Sequence, residues 1–128
     1  MPLVQISIRK CYSAAEKGLI NKALHQALLV AFKIPEHDFN HRIHEYEAEN
    51  FPIPPGKTER YMIIEMTIFP GRSKQAKEFL FSEVCKNLAE LSLSPEDILI
   101  VLHEPQLANW GINGVSAENM DLGFKLDV

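Results

Sequence analysis

What the chain lacks narrows it first. Of its 128 residues only two are cysteines, Cys11 and Cys85, and their separation matches neither a metal knuckle nor a disulfide framework. Both read as free thiols of a reducing compartment. No single sign of charge dominates: 13 basic and 17 acidic residues are interspersed, leaving a formal charge of -4. That balance excludes the basic footprint of a nucleic-acid or anionic-lipid binder, so no nucleic-acid or membrane partner is expected. Long apolar runs are missing too: Ile98 to Leu102 is far short of a bilayer span. No basic-then-apolar leader precedes Pro2, which predicts a cytoplasmic protein. Charged residues are 23% of the chain against 46% hydrophobic, a composition that excludes disorder and suits one domain with a real core.

What is present is a repeat with an offset of sixty residues. Ser13 matches Ser73, Lys17 matches Lys77, Leu24 pairs with Val84, Leu28 with Leu88, and Pro35-Glu36 with Pro95-Glu96. His44-Glu45 and His103-Glu104 follow, slipped by one. Each copy reads as a β-rich run, a serine turn, a long amphipathic segment, a proline turn and a second run ending His-Glu, which is a βαβ unit. In the first copy PLVQISI supplies the strand and SAAE at Ser13 to Glu16 is a capping box. Leu19, Ile20, Ala23, Leu24, Ala27, Leu28, Ala31 and Phe32 form its helix stripe, and Phe39 to Tyr46 closes the unit. In the second, RYMIIEMTIF is the strand, Ser73 caps a helix with Ala76, Phe79, Leu80, Val84, Leu88 and Leu91 inward, and ILIVLHE returns as a buried strand.

The predicted fold is therefore α+β: one domain over 1–128, with repeats at 2–46 and 60–104, a proline-rich linker at 49–59 and a C-terminal segment at 105–128. Its mixed four-stranded sheet carries both helices on one face, because parallel crossovers are right-handed. The C-terminal segment is glycine-punctuated, as a short hairpin and a terminal strand require. The other sheet face is left exposed and apolar, which predicts self-association.

Three motifs in order then carry a resemblance: Pro2 behind the initiator methionine, PGRSKQAK at Pro70 to Lys77, and NWGINGV at Asn109 to Val115. Together they resemble the tautomerase superfamily, and IPEHDFNHRIHEYE with the later NWG is most similar to its malonate semialdehyde decarboxylase-like members. The resemblance covers nearly the whole chain. It implies two βαβ units, assembly as a homotrimer, no cofactor and no metal, and catalysis by an amino-terminal proline, here Pro2 once methionine is removed. It implies further that Asp38 works beside that proline and that Arg72 holds a substrate carboxylate. Pro70 stands where the decarboxylase carries another arginine, and Asn40 near the place of a distal-carboxylate arginine; Arg42, two residues on and on the same strand face, is the substitute. Asn109 and Trp110 would line the pocket. Tyr12 in the place of Arg72 and Met62 in the place of Pro2 leave one site per chain.

The chemistry these residues permit is proton transfer. A neutral secondary amine is a general base for carbon beside a carbonyl or for an enol oxygen, and an apolar site keeps it neutral. A guanidinium fork suits a carboxylate or enolate. The first functional reading is thus a tautomerase, an isomerase moving a proton on a small 2-oxo acid. The second is a decarboxylase or hydratase of a three-carbon oxo acid with a cationic Pro2, and the third a trimeric interaction module without turnover. Bland roles stand beside these: Asp38 as a turn or cap residue, Trp110 as core or interface filler. His37, His41 and His44 beside Glu45 are not read as a metal site, since His41 and His44 project to opposite strand faces.

Overall fold

The computed structural model describes residues 2–121. The elements run β1 (Leu3–Arg9), α1 (Ala14–Phe32), β2 (Asn40–Tyr46), β3 (Met62–Thr67), α2 (Lys74–Ala89) and β4 (Ile98–His103), then a short hairpin of β5 (Gly111–Ile112) and β6 (Val115–Ser116). The four long strands form one sheet in the order β2-β1-β3-β4. Each repeat pairs its own strands in parallel, and the repeats join through antiparallel β1 and β3 with Ile6 opposite Ile64. The expected terminal strand falls beyond Asp121, outside the described residues.

Local chemistry explains the boundaries. Ser13 accepts from the Glu16 amide at 3.1 Å while the Glu16 carboxylate accepts from the Ser13 amide at 2.8 Å, a complete capping box. Ser73 accepts from the Ala76 amide at 3.0 Å, a cap of the kind that contributes about 1 kcal/mol. Gly71, just before it, sits at φ +116°, which L side chains rarely adopt, so the turn into α2 requires glycine.

The core lies between the sheet and the helices. Val4, Ile6 and Ile8 of β1 and Met62, Ile64 and Met66 of β3 are fully buried against Leu24, Leu28, Leu80, Val84 and Leu88. Two residues of the predicted stripes fall outside it: Leu19 and Phe79 are 48% and 45% exposed. Both lie on the outer shoulder of their helices, where one sheet cannot cover so wide an apolar arc.

The helix-free face also departs from expectation. It is apolar on the β3–β4 side, at Ile63, Leu99 and Val101, but Gln5, Ser7, Arg42, His44, Glu65, Thr67 and His103 make the remainder polar. The linker is held down rather than loose. Buried Asp97 accepts from the Thr58 amide at 2.9 Å and from its hydroxyl at 2.5 Å, charge-assisted bonds worth roughly 1.5–3 kcal/mol each, and Phe51 is buried beside Tyr46 and Tyr61. The paired His-Glu endings have a shared structural use: Glu45 bonds Lys17 at 3.0 Å and Glu104 bonds Lys77 at 2.6 Å, so each returning strand is tied to the first turns of its own helix.

Candidate active site

The topology gathers the chemistry-bearing residues of the sequence at one end of the sheet. Because β1 and β3 are antiparallel, the start of β1 lies beside the end of β3, with Leu3 opposite Thr67. Parallel pairing brings the start of β2 to the same end, Leu3 beside Asn40, and the end of β4 follows, His103 beside Thr67. Pro2, the turn carrying Asp38, the Gly71-Arg72 turn and the Asn109-Trp110 segment are all attached there. Carrying the β1 registers one residue further sets Pro2 between Phe39 and Ile68. Met62, the counterpart of Pro2, lies fully buried at the opposite end, and Tyr12, the counterpart of Arg72, donates to the Arg60 carbonyl at 2.5 Å beneath the Arg60 guanidinium.

Pro2 is buried. Beside it Leu3, Phe39, Asn40, His41 and Arg42 line an open depression of about 410 Å³, within the range of small-molecule sites. Arg42 projects from the helix-free face and is exposed, one strand from Gln5. Asp38 accepts from the Asn40 side chain at 3.0 Å, which ties the turn to the start of β2.

Arg72 is 8% exposed, donates to the Phe32 carbonyl at 2.5 Å and lies with its guanidinium carbon 4.8 Å from the centre of the Phe32 ring. A cation at the C-terminal end of α1 meets the negative pole of the helix, a favourable arrangement.

Trp110 is buried in a small second cluster. Its ring meets Phe69 edge-on at 4.6 Å, its indole N–H donates to the Pro105 carbonyl at 3.1 Å, and Leu3, Leu107 and Ile112 pack around the group. Through Leu3, Trp110 supports the first strand, whereas Asn109 ends a short 3-10 turn and is exposed.

The sequence reading missed the layer beneath the depression. His25 of α1 is buried and donates from Nε2 to the Glu36 carbonyl at 2.9 Å. His41 contacts the Asn21 amide oxygen through Nδ1 at 3.3 Å. Nδ1 of His25 and Nε2 of His41 are buried with no hydrogen-bond partner among the described residues. Phe39 stacks on His41 with ring centres 4.3 Å apart and meets His25 edge-on at 4.6 Å. The signal was a histidine one position after Leu24 in the apolar stripe. Among the described residues no group of three or more metal-ligating side chains occurs.

Burial, with the nearby His25 adding to it, pushes His41 down to about 4 from its ordinary 6.5. Because the folded value is the lower one, the unfolded chain takes up the proton first. Stability is therefore expected to fall as pH drops from about 6.5 through 4, by roughly 1–2 kcal/mol once partial exposure is allowed for. Urea unfolding at pH 7 and at pH 4.5 checks this, and His41→Leu should flatten the difference. An unchanged pH slope in that variant would assign the effect to other groups.

Comparison with known proteins agrees with this geometry. A family model described as a tautomerase enzyme matches residues 38–113. Among curated proteins, a probable tautomerase, YusQ, of Bacillus subtilis (strain 168) is 25% identical over 127 residues, covering 94% of this chain and 100% of the relative. Among solved structures, malonate semialdehyde decarboxylase superposes with a TM-score of 0.82 at 20% identity, over 91% of this chain and 94% of that one. A fused 4-OT described as a symmetric trimer gives 0.79 at 24% identity, over 91% and 96%; both likenesses are of fold. No helix among the described residues is long and apolar enough to cross a membrane. With the family model spanning more than half of the sequence, and the βαβ repeat and single-ended cluster in place, the chain belongs to the tautomerase family.

Proposed function

We propose that this protein is a tautomerase acting on the enol or keto form of a small 2-oxo acid, with the nitrogen of Pro2, freed by loss of Met1, as the general base. The observation that carries the reading is the open depression beside the start of β1, bearing a guanidinium on an exposed strand position. A buried amine at this end is desolvated, which lowers its proton affinity and favours the neutral, basic form near pH 7. Arg42 takes the substrate carboxylate. Asp38, just ahead of β2, orients the enol hydroxyl or its proton. The base removes the proton from the enol oxygen, the C–O π bond forms, and the electron pair of the C=C bond takes that proton back from the Pro2 nitrogen at the adjacent carbon, which leaves the amine neutral again.

A carboxylate close to the amine would instead favour the cation and turn the site towards hydration or decarboxylation of a three-carbon oxo acid. The same test separates the two. Protein shown by intact mass to begin at Pro2 should ketonise phenylenolpyruvate, followed by its ultraviolet absorbance, and should release no carbon dioxide from malonate semialdehyde. Turnover of the second substrate alone overturns the tautomerase reading, and turnover of neither supports a module without catalysis. We assign the apolar β3–β4 part of the helix-free face, Ile63, Leu99 and Val101, to contact between copies in a homotrimer. Light scattering on the same sample should then give three times the 14.5 kDa chain mass; a monomer would remove that assignment.

A further inference from the structure

We infer that Phe39 is a fixed aromatic platform that selects substrates with a planar, conjugated group next to the carboxylate-bearing carbon skeleton. This inference rests on the site proposed above and names the substrate class it prefers. Four observations carry it.

Phe39 is a large apolar side chain left 48% exposed just ahead of β2. Its exposed surface is part of the wall of the depression that also holds Arg42. The ring is also not free to swing. One face lies on His41 at 4.3 Å and an interplanar angle of 11°, and His25 meets it at 4.6 Å and 70°. Each imidazole is held in turn, His25 by the Glu36 carbonyl and His41 by the Asn21 side chain, so the buttress is anchored on α1. Lastly, the β1–β2 register carried one residue further sets Phe39 beside Pro2, about one strand spacing from the candidate base.

A rigid, half-exposed ring of this kind offers a π-face to a ligand at little cost in lost side-chain freedom, because its rotamer is already fixed. A flat enol or aryl group lying on Phe39 would have its carboxylate reach Arg42, which lines the same depression from the helix-free face. A saturated chain can fill the same volume but gains no stacking, so the platform discriminates by planarity. Aromatic stacking beyond simple burial amounts to about 3–10-fold in binding.

The test is equilibrium binding, read by NMR shifts of the protein beginning at Pro2, with trans-cinnamate as the planar carboxylate and hexanoate as the saturated one. Phe39→Leu, which keeps apolar bulk without the π-face, should weaken cinnamate by about 3–10-fold and change hexanoate by less than 2-fold. Phe39→Tyr should restore cinnamate to within about 2-fold of the parent. Equal losses for both ligands, an unchanged cinnamate affinity, or failure of the parent to bind cinnamate would each overturn the platform. Since binding is read without turnover, a selective cinnamate loss in a protein that ketonises no enol would sustain the platform while removing the tautomerase assignment. Full turnover with unselective binding would do the reverse.

Discussion

Leaving any residue in front of Pro2 should cost the protein about 10²–10⁴-fold in phenylenolpyruvate turnover, the usual contribution of a positioned general base, with no change in fold. The reason is electronic: behind another residue the proline nitrogen is an amide, its lone pair is delocalised into the carbonyl, and it cannot accept a proton. Replacing Pro2 by alanine is a milder change, since the clipped chain still ends in an amine. Alanine, however, loses the ring that fixes the backbone angle and so the direction of the nitrogen, and a base out of line loses much of its advantage. The expected order is therefore parent, then Pro2→Ala, then the blocked chain. Circular dichroism should be the same for all three, because Pro2 precedes the paired part of β1 and donates no ladder bond. Full turnover by a chain still carrying Met1, verified by mass, would remove Pro2 from the mechanism.

The fold was legible because two independent patterns agreed. The sixty-residue offset and the strand and helix periods both led to a doubled βαβ unit, and serine caps at matching places set both helix starts. The site was only half legible. Motif order brought Pro2, Asp38 and Arg42 to one end, which needs no more than strand direction. What periodicity could not show is which polar side chains the packing would bury. Arg72 stands in a polar turn and folds back under the end of α1; His25 sits next to the apolar stripe and is drawn in beside Phe39. Asp97, the nearest counterpart of Asp38, likewise reads as an ordinary turn residue, and its use in pinning Thr58 depends on a contact 39 residues away in the chain. The stripe overreached at Leu19 and Phe79 for a geometric reason: a helical wheel is blind to the width of the surface that will cover it.

Substitution at Arg72 should have the second largest effect. Arg72→Ala is expected to lower stability by about 2–4 kcal/mol. It takes a charged donor from the buried Phe32 carbonyl, a cation from the negative end of α1 and a large side chain from a filled space. The loss should reach the site, because α1 ends at Phe32 and the turn that follows carries Asp38 and Phe39. Arg72→Lys separates a strut from a carboxylate ligand. Lysine keeps the charge but offers a single ammonium in place of a planar fork. For a strut, thermal midpoint and kcat/KM should fall in step, with KM for the enol little altered. A Lys variant that melts within a degree or two of the parent yet has lost most of its kcat/KM would return Arg72 to the role the resemblance implies, gripping the substrate carboxylate itself.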